Sequence, residues 1–280
     1  MKKIFGIFCA IILFALQSNA ETTTEWTSET GLIRVEKIGQ NLLNKNNLPT
    51  EVKFSVLETD EVNAFASGEN EICVYTGLLK FVDDDAELAG IIAHEMGHII
   101  NHHVAKQSIV SSITSHVISN ANISERVRTG AHIANQLSML KMSRTQEYEA
   151  DITGIDLMTN AGYNPLAMIS VLYKISGNYI DFIETHPSGD KRTMYSYDYI
   201  TYMYPNKANL GYSTNSFKQF MNYAKPIVSS RNESTKKLAK FNEEQAKLKE
   251  KRIKKMNKYK NQYSGWNASY NLLKSLSTNS

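Results

Sequence analysis

The sequence predicts a mainly helical α+β fold with a small sheet. Long stretches carry apolar residues at helical spacing, and three short strand-like runs lie close together between residues 51 and 75. The composition is ordinary for a globular protein, with 42% hydrophobic and 21% charged residues, which excludes a collagen-like or wholly disordered chain. A formal net charge of only +3 does not indicate a nucleic-acid-binding protein.

Residues 1–20 predict a cleaved signal peptide. Lys2 and Lys3 precede an apolar stretch at 4–16, and residues 18–20 supply the small side chains that a signal peptidase reads. A membrane-spanning helix needs about twenty apolar residues, which makes a retained anchor the weaker alternative. Cleavage would place the protein in the periplasm and leave Cys73 as its single cysteine, which we expect to be a buried small hydrophobe.

The next part of the chain combines helices with short strands. Apolar residues at helical spacing predict an amphipathic helix over 28–45. Alternation of apolar and polar residues at 51–57 predicts a half-buried strand, and 62–66 and 71–75 predict two more strands around a Ser-Gly-Glu-Asn turn. A short helix is expected at 78–81.

The remainder is predicted to be helical. A helix is predicted over 86–104, and Asp84 and Glu87 at its N-terminus have the spacing of a capping box. The later helical regions are predicted at 104–118, 129–160, 166–175, 195–204 and 233–262. A polar connection at 119–128 separates the first two of them.

The helix over 86–104 contains the sequence His-Glu-Met-Gly-His at 94–98. Four residues at about 100° each bring His98 to within about 40° of His94, one turn further along. Both imidazoles can therefore reach one zinc ion, while Glu95 can hold a zinc-bound water. Three protein ligands and a water form an open catalytic site, in which Glu95 is predicted to act as the general base.

A third zinc ligand is needed, and Glu147 is the preferred candidate. Glu147 and Asp151 lie one turn apart on one face of a later helix, so Glu147 could bind zinc while Asp151 orients a histidine ligand through its second nitrogen. Glu149 is the alternative carboxylate. His102 and His103 lie on the same helix as the first two histidines, too few turns away to converge with both, but His102 is in line with His98 and would give a competing array on a single helix. Asp151 could instead be an ordinary surface charge.

The order of these motifs resembles that of one family of zinc metallopeptidases. This family includes the CAAX prenyl proteases, the HtpX-like heat-shock proteases and the Oma-type mitochondrial proteases, and the sequence is most similar to its soluble periplasmic branch. The resemblance covers about residues 28–225. The residues that carry it are Asn63-Ala64-Phe65-Ala66, Val74-Tyr75-Thr76-Gly77-Leu78-Leu79, Ala93-His94-Glu95-Met96-Gly97-His98, Ser143-Arg144 with Glu147 and Ala150-Asp151, and Thr185-His186-Pro187-Ser188.

The resemblance implies a gluzincin-type domain whose small sheet has an edge strand beside the active-site cleft. Residues 63–66 and 71–75 would offer backbone groups to an extended peptide. It also implies that His186 lies over the active site, where it stabilises an oxyanion or blocks the zinc in a resting state, and that Arg192 is structural. The implied zinc ligands are His94, His98 and Glu147, with Glu95 as the base.

The predicted organisation is a metallopeptidase domain at 21–230 followed by a basic helical tail at 231–280. Residues 231–262 contain 12 Lys and Arg against four Glu, so their net charge of +8 exceeds that of the whole chain. A solvated helix is the expected structure, with peripheral contact to anionic lipid as a further possibility.

These observations predict a zinc-dependent endopeptidase of the cell envelope. Its expected partners are misfolded or unassembled exported polypeptides, and no nucleic acid. The alternative function is a chaperone or assembly factor that retains the zinc fold and has low or latent proteolytic activity.

Overall fold

The computed structural model describes residues 26–46, 52–67, 70–103, 143–178, 186 and 189–262. The predicted signal peptide, the helix at 104–118, the connection at 119–128 and the first part of the helix at 129–160 lie outside these residues and stay predictions. Within the described ranges, no helix is both long enough and apolar enough to cross a membrane.

Nine helices are formed by the described residues, and they confirm the mainly helical fold class. Where a predicted helix is described, its bounds agree with the prediction to within a few residues. They are α1 Ser28–Lys45, α2 Thr76–Phe81, α3 Asp85–Ile100, α4 Arg144–Asn160, α5 Leu166–Asn178, α6 Asp190–Met203, α7 Pro205–Ala208, α8 Asn215–Asn232 and α9 Thr235–Gln262.

The three predicted strands form one small sheet. They are β1 (Lys53–Leu57), β2 (Ala64–Ala66) and β3 (Glu71–Tyr75), in the order β1-β3-β2. β3 pairs in parallel with β1 and antiparallel with β2. The expectation that residues 71–75 offer backbone groups to a peptide is therefore wrong, because both edges of β3 are already paired. Among the described strands, β2 is the free edge nearest the helix α3, against which it packs.

The helix α3 lies at the centre of the core. It packs against α1, α4, α5 and β2, and every residue from Glu87 to Ile100 is buried. Its N-terminus is capped by Asp84, whose side chain accepts hydrogen bonds from the backbone of Ala86 and Glu87. The predicted capping box is incomplete, however, because the Glu87 carboxylate accepts from the backbone of Asp83 instead of Asp84.

Two glycines let α3 and α4 approach closely at the level of the His-Glu-Met-Gly-His motif. A Cβ atom on Gly97 would lie 2.6 Å from the carbonyl oxygen of Ala150, and one on Gly154 would lie 2.9 Å from the backbone nitrogen of His94. Such distances are too short for a methyl group to be accepted without movement of the backbone. The sequence therefore needs glycine at both positions to bring the two helices together.

Substitution of Gly97 tests this contact. Gly97→Ala should lower the free energy of unfolding by about 1–3 kcal/mol, because the new methyl group separates α3 from α4. Gly177→Ala in α5 is the matched control, since nothing lies within 4 Å of the added Cβ. The control should be neutral or slightly stabilising in urea denaturation, as expected for Gly→Ala in a helix. Equal effects of the two substitutions would contradict the account.

The basic helix α9 packs against the rest of the protein. The Phe241 ring makes an edge contact with Tyr202, Leu248 packs against the hydrophobic core, and the Arg252 side chain is buried. Between residues 235 and 254, the large apolar side chains of α9 are partly buried, while most of the lysines are exposed. No finding tests the proposed boundary at residue 230, which falls inside α8, so the boundary stays a prediction.

Candidate metal centre

Four buried side chains converge on one point between α3, α4 and His186. His94, His98, Glu147 and His186 each present a donor atom, and these atoms all lie within 4.8 Å of one another. The exposed fraction of each residue is 3% or less. The helical spacing of His94 and His98 brings their Nε2 atoms to 3.0 Å, as the motif predicts.

The carboxylate of Glu147 reaches the same point from α4. Its oxygens lie 3.5 Å from Nε2 of His94 and 3.4 Å from Nε2 of His98. Nδ1 of His186 lies 3.3 Å from both the Glu147 carboxylate and Nε2 of His94. The structure therefore brings Glu147 to the cluster, whereas Glu149 points elsewhere and contacts His103.

Asp151 orients His94 from the side away from the cluster. Its carboxylate lies 2.9 Å from Nδ1 of His94, and it is fully buried, which excludes the surface-charge alternative. A proton held on Nδ1 leaves Nε2 of His94 free to bind a metal. Arg192, on α6, binds both oxygens of Asp151 at 2.6 and 2.7 Å. It also lies 2.7 Å from Glu147, so one guanidinium forms ion pairs with both carboxylates.

The buried charges shift the pKa values of these side chains. Burial by itself would raise the pKa of Glu147, but Arg192 and His186 hold it well below its usual range. Burial likewise opposes protonation of His94, yet Asp151 and Glu147 raise the pKa of His94 to about 9. Burial lowers the pKa of His98 to about 3. A neutral His98 and an ionised Glu147 are the forms in which these groups bind a metal.

Glu95 lies beside the cluster with its carboxylate directed into it. One oxygen lies 3.5 Å from Nε2 of His186 and 4.0 Å from Nε2 of His94. Among the described residues, neither oxygen has a hydrogen-bond partner, although the side chain is 1% exposed. Burial raises the pKa of Glu95 against the opposing effect of the two histidines and of the nearby backbone N–H of Ala66, which forms no hydrogen bond of normal geometry with the carboxylate. A buried carboxylate without a hydrogen bond is costly unless a further group completes the site.

The donor set fits a zinc ion. Two imidazole nitrogens and a carboxylate oxygen are the ligands of one common type of catalytic zinc site. Their partners Asp151 and Arg192 supply the hydrogen bonds and charge that such ligands require. The unpaired carboxylate of Glu95 lies where a water bound to the metal would need a proton acceptor.

Two features of the site differ from the sequence-based expectation. Arg192 is not only structural, because it forms ion pairs with the carboxylates of Glu147 and Asp151. These pairs cannot be inferred from the sequence, since Arg192 lies about 40 residues from both. The helix predicted over 86–104 is too long, because α3 ends at Ile100. His103 therefore does not continue α3, and it turns back to within 3.0 Å of His98.

The sequence comparisons agree with this site. Residues 33–194 match the peptidase family M48. The chain belongs to this family. It is 36% identical to the mitochondrial metalloendopeptidase OMA1 of Arabidopsis thaliana over 151 residues, which are 51% of this chain and 30% of the relative.

Two Escherichia coli members of the M48 family are also similar. The β-barrel assembly-enhancing protease is 25% identical over 177 residues, covering 56% of this chain and 36% of the relative. The metalloprotease YcaL is 29% identical over 181 residues, covering 60% of this chain and 69% of the relative. The chain thus spans only about a third of the length of the first two relatives. The matched region of the M48 chain contains α3, α4 and all four residues of the cluster.

Proposed function

We propose that this M48 protein is a zinc-dependent endopeptidase of the cell envelope that cleaves misfolded or unassembled exported polypeptides. The observation that carries the proposal is the position of Glu95. Its buried carboxylate has no hydrogen-bond partner among the described residues and faces three metal-binding side chains. Membership of family M48 supports the same reaction class.

Each side chain of the cluster has a role in this reaction. His94, His98 and Glu147 would hold the zinc ion, and Asp151 would fix the orientation of His94. When bound, zinc supplies an acidified water and polarises the substrate carbonyl. Glu95 accepts the proton from the attacking water and delivers it to the leaving amine. Arg192 keeps Glu147 and Asp151 ionised in a buried position.

The edge strand β2 supports an extended polypeptide as the substrate. Asn63 and Ser67 form backbone hydrogen bonds with β3, so the backbone groups of Ala64 and Ala66 point away from β3. The side-chain oxygen of Asn63 accepts a hydrogen bond from the N–H of Ala64. The carbonyls of Ala64 and Ala66 remain available on the side toward α3, where a peptide could add as a further strand, while the N–H of Ala66 lies toward Glu95.

His186 favours a resting enzyme whose activity is restrained. Its Nδ1 atom faces the same point as the three other ligands, at 3.3 Å from two of them. In this position it would take the ligand site that a substrate or water needs. Removal of His186 should therefore increase the rate of cleavage if the enzyme is latent.

The location and partners belong to the same proposal. One similar relative is named for β-barrel assembly, which favours a role in envelope quality control, and the predicted signal peptide favours the periplasm. The outward-facing lysines of α9 suit peripheral contact with anionic lipid. Because the large apolar side chains at 238–253 are partly buried, this contact would be electrostatic and would weaken with salt. We expect no binding to nucleic acid.

The test compares one substrate protein in its folded form and in a permanently unfolded form, made by reduction and alkylation of its disulfides. Zinc-loaded protein should produce internal fragments from the unfolded form alone, as measured by mass spectrometry. A chelator should abolish the fragments and added zinc should restore them. His186→Ala should yield the same fragments at a higher rate.

The outcomes separate the two candidate functions. Removal of single residues from the chain ends would contradict an endopeptidase. An absence of fragments from both wild type and His186→Ala, with zinc bound, would overturn the proposal in favour of the chaperone alternative. Fragments from His186→Ala alone would establish a latent endopeptidase.

A further inference from the structure

His98 is contacted on the side opposite the cluster by a second histidine. Nδ1 of His103 lies 3.0 Å from Nδ1 of His98, and Nε2 of His103 lies 3.0 Å from the carboxylate of Glu149. His103 is 1% exposed. The three side chains thus form a row that leads from the surface of α4 to the proposed zinc ligand.

The backbone after α3 makes this row possible. Asn101 caps the helix, and its side-chain amide donates to the carbonyl of Gly97 and the hydroxyl of Thr153. His102 then has a φ of 56°, in the left-handed region, which few residues other than glycine adopt without a structural reason. The backbone therefore leaves the helical path at His102, and the side chain of His103 lies beside His98.

The chemistry of the row restricts where the protons can lie. A carboxylate oxygen only accepts, so Nε2 of His103 donates to Glu149. Nδ1 of His103 and Nδ1 of His98 face each other, and one proton must lie between them. A metal on Nε2 of His98 requires that this nitrogen carry no proton, which places the shared proton on Nδ1 of His98 and makes His103 the acceptor.

We propose that His103, supported by Glu149, is a positioning residue that holds His98 in the ring orientation and tautomer required to bind the metal. The inference rests on the proposed zinc site and deepens it. Asp151 does the same for His94 with a single carboxylate. The two histidine ligands are therefore oriented by different devices, and the neutral imidazole of His103 adds no second negative charge to the buried cluster.

A matched pair of substitutions separates hydrogen bonding from packing. Asn and Leu have nearly the same shape, and in His103→Asn the side-chain amide oxygen would take the place of Nδ1 as an acceptor. His103→Leu should weaken zinc binding about 10- to 100-fold, as is typical for loss of a hydrogen-bond partner of a metal ligand. His103→Asn should retain most of the affinity. The affinity is measured by competition with a chromophoric chelator, and the visible spectrum of the Co²⁺ form reports the coordination geometry.

A second pair of substitutions at Glu149 tests the far end of the row. Glu149→Gln keeps an acceptor for His103, whereas Glu149→Met does not, and the side chain is 27% exposed and so tolerates change. Glu149→Met should reduce zinc affinity and Glu149→Gln should not. If His103→Leu fails to fold, the Glu149 pair still tests whether the row positions His98. His102→Asn, which introduces a residue type that tolerates positive φ, should bind zinc like wild type.

The results have distinct meanings. The positioning role would be overturned if the two members of each pair had equal zinc affinity and equal Co²⁺ spectra. The pairs are His103→Asn with His103→Leu, and Glu149→Gln with Glu149→Met. A wild-type protein that binds no zinc would instead overturn the proposed function itself. Equal losses in both members of each pair, with a matching fall in the melting temperature of the metal-free protein, would assign the row to packing and reject the inference.

Discussion

Glu95→Gln should reduce kcat/KM for cleavage of an unfolded polypeptide about 10²- to 10⁴-fold, the usual contribution of a general base. The amide of Gln has nearly the shape of the carboxylate but cannot accept the proton of the attacking water. Because Glu95 lies beside the zinc ligands rather than among them, the variant should still bind one zinc ion per chain. Activity is followed by fragment yield, and metal content by atomic emission.

A control variant shows whether the loss is specific to Glu95. Glu244→Gln changes a glutamate on α9 whose side chain is 61% exposed, and it should leave both activity and zinc content unchanged. Retention of more than about a tenth of the activity by Glu95→Gln would contradict the assigned role, since that is a smaller loss than the weakest general-base contribution.

Arg252→Leu should lower the free energy of unfolding by about 3–5 kcal/mol, because it leaves the buried Asp156 without its cation. Arg252 lies on α9, and its Nη2 atom is 2.6 Å from the fully buried carboxylate of Asp156 on α4. The hydroxyls of Tyr199 and Tyr204 also donate to Asp156, at 2.8 and 2.7 Å. These hydroxyls do not neutralise the charge. Urea denaturation of the zinc-loaded protein measures the effect.

The loss of stability in Arg252→Leu should depend on pH and on the charge of the side chain at position 156. Burial raises the pKa of Asp156 above its ordinary value, although Arg252 and the tyrosines oppose the shift. Removal of Arg252 takes away a charge that lowers this pKa, so the folded variant should bind a proton at Asp156 more readily and be less destabilised as the pH falls. Asp156→Asn combined with Arg252→Leu should be more stable than Arg252→Leu alone, because no unpaired buried charge remains.

The exposed Lys254 provides the matched control for Arg252. Its ion pair with Glu250, at 2.6 Å, joins two side chains that are 74% and 63% exposed. Water and salt screen exposed pairs of this kind, so Lys254→Leu should have little effect on stability. A similarly small effect of Arg252→Leu would show that α9 does not stabilise the domain that carries the site.

Much of the fold could be predicted because local patterns decide it. The apolar spacing of 28–45 corresponds to α1, and the short strand-like runs at 51–57 and 71–75 correspond to the strands β1 and β3. The pair Glu147 and Asp151 could be recognised from helical spacing alone, since residues four apart share a helix face. Cys73, by contrast, is only half-buried, because it lies on the face of β3 opposite Ile72 and Val74.

The rest depends on contacts between distant segments, which a periodicity does not encode. Arg192 reaches Asp151 from α6, and Arg252 reaches Asp156 from α9. The positive φ at His102 is a local feature, but the sequence does not predict it. The apolar pattern of α3 continues to Ile100, and the residues that follow are compatible with a helix. The sequence therefore leaves an array of histidines on one helix as a competing arrangement, whereas in the structure α3 ends at Ile100, before His102 and His103.

The most direct test of the account is a crystal structure of the zinc-loaded protein with anomalous diffraction measured on both sides of the zinc absorption edge. The account predicts one strong anomalous peak per chain, bound by Nε2 of His94, Nε2 of His98 and the carboxylate of Glu147, with Glu95 close to the metal but not bound to it. A peak held by other residues, or a metal bound by Glu149 in place of Glu147, would contradict it.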